Sequence, residues 1–309
     1  MGRSTDGILL ADKAAGESAY DVVRRLKRVV RGVKAGHAGT LDPFATGLMI
    51  LLLGRATRLS RFLMSGDKLY LGTLRLGVET DTLDPTGRVL RTAPVPDLKE
   101  AEIRAQADRF VGDILQAPPA FSAVRHRGTR AYKLARRGEK VSLEKRRVTV
   151  HAFRILSVDL PEVTFEVHCS SGTYVRSLAA DLGRRLGPGG HLASLRRLRS
   201  GPFRVEDALS PADGFWTRKA RPSDVARHLI SLRDALPWMP EVAVGPSLAK
   251  KIKSGYQPGM AEFPEMTGGV GHGGGYFKLV EGTSLAAVAK LIESGGNGHG
   301  NIKIERVFL

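Results

Sequence analysis

The chain has 309 residues, 42% of them apolar and 26% charged, which is enough to bury a sizeable core, excludes wholesale disorder and suggests one large domain with a smaller one. The 48 Lys and Arg against 31 Asp and Glu leave a net charge of +17 and a pI near 10.3, an excess that needs a polyanionic partner, nucleic acid first and an anionic membrane second. The single cysteine, Cys169, excludes an intramolecular disulfide and a Cys-rich zinc site and fits a reducing cytoplasm, and the longest apolar run, Leu48 to Leu53, is too short for a bilayer span.

The N-terminal segment MGRSTDGILLADKAAG has no signal-peptide apolar region, and Gly7 to Lys13 within it reads as a short strand. Ser18 with Asp21 resembles a capping box opening a helix through about Val33. Val22, Leu26, Val29 and Val33 fall on one face, while Arg24, Arg25, Lys27, Arg28 and Arg31 crowd the rest, as either a solvated face or an RNA contact. GHAGTLDPFATG, Gly36 to Gly47, is too rich in glycine, proline and small residues for a helix or central strand and is expected to form a shaped loop. Leu48 to Leu53 then reads as a buried strand, Tyr70 to Val78 as another, and TDTLDPTG follows at Thr80 to Gly87. Asp97 with Glu100 predicts a second capped helix through about Val111.

Residues 121–150 hold ten Lys or Arg against two Glu, with Phe121, His126 and Tyr132 interspersed, the footprint of nucleic-acid binding. Strands are expected around Val148 to Val158 and Val163 to His168, then a helix from about Tyr174 to Leu186 and another basic run, LRRLRSGPFR, at Leu195 to Arg204. Strands and helices mix without βαβ alternation, which predicts an α+β fold. The irregular stretch Pro211 to Pro222 marks a boundary, and from about Leu232 short strands around Val242, Tyr276 to Val280, Leu285 to Ile292 and Ile302 to Leu309, separated by TGGVGHGGG and SGGNGHGN, predict a small β-rich module.

Common cofactor motifs fail. The sequence has no GxxxxGK[ST], HExxH or GxSxG, and its one GxGxxG, Gly269 to Gly274, sits in a glycine run with no helix pattern after it; no metal and no cofactor are expected. Two aspartates remain, Asp42 and Asp84, each in a Thr-Leu-Asp-Pro segment ahead of Thr-Gly. An aspartate before proline also serves as a plain turn residue, so spacing alone leaves both readings open. Asp42 is the stronger candidate, because its longer loop carries His37 and Thr40 and feeds a buried strand. A carboxylate held ionised by a guanidinium can act as a nucleophile without metal or cofactor, and Arg176 in SGTYVRS, beside Gly172 and Tyr174, is the candidate partner; a surface arginine at a helix start is the competing reading.

These residues carry a resemblance. GHAGTLDPFATG is similar to the signature loop of TruB-type tRNA pseudouridine synthases, and the likeness continues through DKLYLGTLRLGVETDTLDPTG, QAPPAFSAVRHRGTRAYKLARRGEKV, CSSGTYVRSLAADLG and HLASLRRLRSGPF, in the family's order and spanning residues 7–210. The resemblance implies a mixed, mostly antiparallel central sheet with flanking helices over residues 1–231, a basic RNA-clamping insertion at about 116–150, and a PUA-like RNA-binding module over 232–309. It implies that Asp42 attacks a uridine flipped out of the T-loop at position 55 of tRNA, so that the base detaches, rotates and rejoins the ribose through carbon. Tyr70 corresponds to a tyrosine that stacks on the base, Arg176 to the arginine paired with the aspartate, Tyr174 and Leu198 to pocket walls, and His37 to the residue filling the gap left in the RNA. Arg125, Arg127, Arg130, Lys133, Arg136, Arg137, Arg196 and Arg197 are expected on the RNA. The implied partner is the T-arm of tRNA, with no membrane, no obligate protein partner, a monomeric state and a cytoplasmic location. A non-catalytic tRNA-binding or chaperone protein and a guide-RNA-dependent synthase subunit are the competing functions.

Overall fold

The computed structural model describes residues 5–126, 128–139, 141–210, 221–263, 275–292 and 301–308. Strand β1 (Gly7–Lys13) leads into helix α1 (Ala19–Val29). Ser18 caps α1 through the expected box: its hydroxyl accepts the Asp21 N–H at 3.2 Å, and the Asp21 carboxylate accepts the Ser18 N–H at 3.0 Å. The helix stops four residues short of the expected Val33, where the chain turns through Gly32 at φ +78°. After it come β2 (Ala35–Ala38), β3 (Thr46–Leu53), α2 (Ser60–Met64), β4 (Lys68–Leu76), β5 (Val78–Thr80), β6 (Val89–Thr92), α3 (Glu100–Asp108) and β7 (Gly112–Gln116). The chain continues through β8 (Arg125–His126), β9 (Thr129–Arg130), α4 (Ala131–Ala135), β10 (Arg146–Asp159), β11 (Glu162–Cys169), α5 (Val175–Leu186), β12 (Gly190–Ser200) and β13 (Phe203–Arg204). The last described elements are α6 (Pro222–His228), β14 (Glu241–Ala243), α7 (Pro246–Lys253), β15 (Tyr276–Glu281), β16 (Ser284–Ile292) and β17 (Asn301–Val307).

The main sheet runs β1-β3-β12-β4-β11-β10-β7, with β2 added on β3 and β13 on β12, and the C-terminal sheet runs β14-β15-β16-β17. In the main sheet every pairing is antiparallel except a short parallel one, Thr46 with Arg196 and Gly47 with Arg197. This is the mixed, mostly antiparallel sheet with flanking helices that the family likeness implied, joined to a β-rich C-terminal part.

Why Leu48 to Leu53 is apolar without alternation is visible in the core. Met49, Leu51 and Leu53 enter the cluster built with α1 and α5, while Leu48, Ile50 and Leu52 enter a second cluster that also holds Leu285, Val288 and Phe308 from the C-terminal part. A strand buried on both faces has no polar side to alternate with. Each such leucine or isoleucine contributes about 1.5–3 kcal/mol by leaving water.

Four expectations need correction. The shaped loop begins at Gly39, because Ala35 to Ala38 form β2 and His37 pairs with Leu51. The second helix starts at Glu100, with the Lys99 N–H bonded to the Glu102 carboxylate at 3.2 Å, so Asp97 and Glu100 are not its capping pair. That helix ends at Asp108, short of the expected Val111, and edge strand β7 follows in a stretch for which no element was expected. The basic run from Leu195 lies largely on central strand β12. The glycine tracts, Gly269 to Gly274 among them, and most of Pro211 to Pro222 lie outside the described residues.

Gly47 closes the loop onto that strand. It sits at φ +99°, and a Cβ built there would lie 2.3 Å from the Arg197 carbonyl oxygen and 2.7 Å from its nitrogen. Gly47→Ala combines an unfavourable backbone region with a backbone overlap, and denaturant unfolding is expected to show a loss on the order of 3 kcal/mol.

Candidate active site

The loop Gly39 to Ala45 hangs between β2 and β3 and is fastened from beneath by two buried cations. The ammonium of Lys13, at the end of β1, donates to the carbonyls of Ala14, Pro43 and Ala45 at 2.8, 3.1 and 2.6 Å. Burial pulls its pKa down to about 8, with Asp42 acting in the opposite direction. Arg197, 2% exposed, donates to Leu48 O at 2.7 Å, Thr40 O at 3.4 Å and Gly39 O at 3.3 Å. Loop carbonyls without strand partners are thereby satisfied, which holds the loop in one shape.

Above these cations, Asp42 meets Arg176 from the first turn of α5. Arg176 Nε lies 2.9 Å from Asp42 Oδ2, and Nη2 donates to Asp42 Oδ1 at 3.4 Å and Phe121 O at 2.9 Å. Nη1 donates to Thr82 O at 2.8 Å and Asp84 Oδ2 at 3.2 Å. The second Thr-Leu-Asp-Pro segment therefore serves the same guanidinium from the other side. Asp84 is fixed in turn by Thr82 Oγ1, Thr86 N–H and Thr86 Oγ1, which donate to its Oδ1 at 2.7, 3.0 and 2.6 Å. Leu83, between them, holds φ +62°, a conformation costly for a leucine that aims the loop.

Exposure separates the two aspartates. The Asp42 side chain is 35% exposed and that of Asp84 6%, with the arginine between them at 5%. Asp42 is the carboxylate that a ligand can reach. Burial, followed in size by the opposing Arg176 charge, leaves its pKa above the ordinary 3.8, with Asp84 adding to the rise. The guanidinium lowers the value, as an ion pair should, but burial outweighs it.

Tyr70, on β4, is partly buried against the main core and pairs in register with Arg197. Burial pushes its phenol above its ordinary range, while Arg197 draws it down through charge and a side-chain hydrogen bond. Tyr174 caps α5 two residues before Arg176, half-buried. His37 is half-buried on β2; burial first, and the Arg197 charge as well, lower its pKa, which keeps the imidazole neutral at pH 7. Leu198 occupies a bulge between the pairs Arg197–Tyr70 and Arg199–Leu69 and packs against the second core cluster.

Two of the residues expected on RNA are engaged within the protein itself. Arg197 is buried beneath the loop, and Arg196 forms a two-bond pair with Asp12 at 3.0 and 2.6 Å. The burial of Arg197 follows from β12 lying in mid-sheet, where an arginine must find internal acceptors, whereas Arg196 keeps about a third of its side chain exposed, 37%, beside Asp12. Arg125, Arg130, Lys133, Arg136 and Arg137 are exposed, and Arg127 lies outside the described residues. Among the described residues Asp67, His151 and His168 bring potential metal-ligand atoms within 4.8 Å, but Arg199 Nη2 stands 3.0 Å from His168 Nε2, so a cation there would face a guanidinium. Cys169 is buried with its thiol pushed up to about 12 and is inert at neutral pH.

Sequence reading missed Lys13, the structural part of Arg197, and the clamp formed by Asp84. The usable signals were a lysine inside an apolar strand pattern and the duplicated Thr-Leu-Asp-Pro.

A family model described as TruB family pseudouridylate synthase (N terminal domain) matches residues 27–175, and one described as tRNA pseudouridylate synthase B C-terminal domain matches residues 176–234. A protein of Opitutus terrae named tRNA pseudouridine synthase B is 50% identical over 208 residues, 67% of this chain and 86% of the relative. One of the same name from Geobacter sulfurreducens is 38% identical over 304 residues, 98% of this chain and 99% of the relative. Among solved structures, a chain of a Cbf5-Nop10-Gar1 complex aligns with a TM-score of 0.74 at 25% identity, covering 99% of this chain and 85% of that one.

Two stability measurements test the ion-pair arrangement. Arg176→Lys keeps the charge but not the planar fork, leaving buried Asp84 poorly paired, and is expected to cost about 3 kcal/mol in urea unfolding. Asp42→Asn should behave oppositely. With a folded pKa above 3.8, the protonated carboxyl is the form the fold prefers; ionisation costs stability above the folded pKa, and this cost disappears below 3.8. At pH 7 the Asn variant is therefore expected to unfold no earlier than the parent, with any advantage fading as pH falls through that window. A clearly lower midpoint at pH 7 would contradict it.

Proposed function

The chain belongs to the TruB family of pseudouridylate synthases, and from that membership we propose that it isomerises uridine 55 in the T-loop of tRNA to pseudouridine with Asp42 as the nucleophile. The observation that carries the residue assignment is the contrast between the accessible Asp42 and the buried Asp84 on one fully engaged guanidinium. The reaction breaks the bond from C1′ to N1 of the uracil and forms one from C1′ to C5; N1 gains a proton and C5 loses one. Substrate and product contain the same atoms, so the balance needs no oxidant or reductant. Partial burial makes the Asp42 carboxylate more basic than a solvated one, and Arg176 holds it in one direction, the combination a nucleophile needs. Attack on the uracil ring and attack on the ribose both use this carboxylate.

The remaining roles follow the same reading. Tyr70 stacks on the flipped base, Tyr174 and Leu198 wall the pocket, and His37, neutral at physiological pH, fills the place the base vacates. The exposed Arg125, Arg130, Lys133, Arg136 and Arg137 grip the phosphates of the T-arm, together with Arg127. Residues 1–231 form the catalytic unit and 232–309 a second RNA-binding one. No helix among the described residues is long and apolar enough to cross a membrane, and we place the protein in the cytoplasm as a monomer acting without an obligate protein partner. Relatives named for tRNA at 37–50% identity, against 25% for the chain of the Cbf5-Nop10-Gar1 complex, favour tRNA over a guide-RNA assembly.

Asp42→Asn is expected to lower single-turnover pseudouridine formation on an unmodified T-arm hairpin by about 10⁴-fold or more. Its RNA dissociation constant should stay within about threefold of the parent's, because the phosphate-contacting surface is untouched. Unchanged isomerisation would reject the assignment. In the parent, the rate should fall on the acid side through a pKa above 3.8, since only ionised Asp42 attacks. Binding should weaken steeply with salt, each neutralised phosphate adding roughly −0.7 to −0.9 to the slope of log K against log salt; a flat response would exclude the basic insertion as a phosphate grip.

A further inference from the structure

The basic insertion leaves and re-enters the fold at one register pair. Gln116, the last residue of β7, pairs with Arg146, the first of β10, so that residues 117–145 loop out from a closed neck. Gln116 is buried, yet its side chain does not serve its own sheet. Its Oε1 accepts the Tyr174 N–H at 2.8 Å, and its Nε2 donates to the Tyr174 carbonyl at 3.1 Å. A single carboxamide thus engages both polar groups of the peptide positions flanking one α-carbon, as a neighbouring strand would.

Tyr174 is the N-cap residue of α5 and makes no capping bond with its own side chain. The start of the helix is fixed instead from the neck of the insertion. Two further bonds join the same pieces: Ser177 Oγ donates to Ala117 O at 3.4 Å, and Arg176 Nη2 donates to Phe121 O at 2.9 Å. The N-cap residue and two residues of the first helical turn are therefore tied to residues 116–121.

We infer that Gln116 is a positioning residue for the reaction: its carboxamide sets the backbone of Tyr174, and with it the ring of Tyr174 and the guanidinium of Arg176, relative to the neck of the RNA-binding insertion. Only a carboxamide offers a donor and an acceptor in one plane at this reach. An ionised glutamate would present acceptors alone to the Tyr174 carbonyl, and methionine would fill the volume without either bond. RNA held by the insertion loads the neck, and these bonds carry that load to the residue that aims Asp42. The inference rests on Asp42 and Arg176 acting as proposed above.

The test uses full-length protein and an unmodified T-arm hairpin, comparing the parent with Gln116→Met and Gln116→Glu. Thermal unfolding establishes that each variant is folded, and Gln116→Asn, which keeps the polar group one carbon short, replaces either if it is not. We expect the single-turnover rate of Gln116→Met to fall about ten- to hundredfold, with more loss for Gln116→Glu and the RNA dissociation constant within about threefold of the parent's. Two readouts separate positioning from general loosening. The acid limb of the rate profile should move to higher pH as Asp42 loses part of the Arg176 charge, and hydrogen exchange at the Tyr174 amide should accelerate. A folded Gln116→Met variant with the parent's rate and acid limb would overturn the inference, as would a rate loss with an unmoved acid limb. Failure of the parent itself to form pseudouridine would instead reject the functional reading, so the two failures are distinguishable.

Discussion

A guanidinium taken out of water has to find acceptors for all three of its nitrogens, and at Arg176 three separate parts of the chain supply them. The loop at Asp42, the loop at Thr82 and Asp84, and the carbonyl of Phe121 converge on one planar group. Burying such a charge costs several kcal/mol unless the geometry is good, and two carboxylates this close would repel each other without it. The arrangement is therefore of little use as a source of stability. Its consequence is that one carboxylate stays accessible and oriented while the other is locked in the fold.

The same logic governs the cations that never reach the surface. Lys13 and Arg197 sit by the Asp42 loop and spend their donors on its carbonyls and on that of Leu48 at the start of β3. A loop of glycine, proline and small residues has little side-chain packing to hold it. Buried donors do that work, and the glycine at position 47 lets the loop close against the backbone of Arg197. Part of the large positive charge is thus internal scaffolding. Charge available to a polyanion is carried by the insertion between β7 and β10, where Arg125, Arg130, Lys133, Arg136 and Arg137 are exposed, and by α1 and the turn after it, where Arg24, Lys27, Arg28 and Arg31 are exposed.

Placing the basic insertion directly against Arg176, the arginine proposed to aim Asp42, gives the fold an economical form of coupling. The carbonyl of Phe121 is at once part of the insertion and a ligand of the guanidinium, so the two regions have no independent resting positions. Rigid elements on the other side, β4 with Tyr70 and β12 with Arg197, supply the fixed reference against which that coupling acts.

Much was legible in the sequence because it rests on local or one-dimensional rules: the capping box at Ser18, the two-faced pattern of α1, the apolar run of β3, strands β10, β11 and β14 to β17, the α+β class and the family's blocks. For the pair Asp42 and Arg176, 134 residues apart in sequence, residue chemistry named the partner but left a surface arginine as the competing reading, since no local rule relates them; the family likeness favoured the pair. What the sequence could not decide were questions of depth and facing. Two aspartates in near-identical segments differ in role because one loop lies at the surface and the other is covered. Arg197, in a basic run, differs from surface arginines because its strand ends up in mid-sheet, and β2 becomes a strand only because β3 offers it an edge. Residue identity carries the chemistry a side chain can perform, whereas burial and partner geometry are sums over contacts between distant segments, and these exist only once the chain has folded.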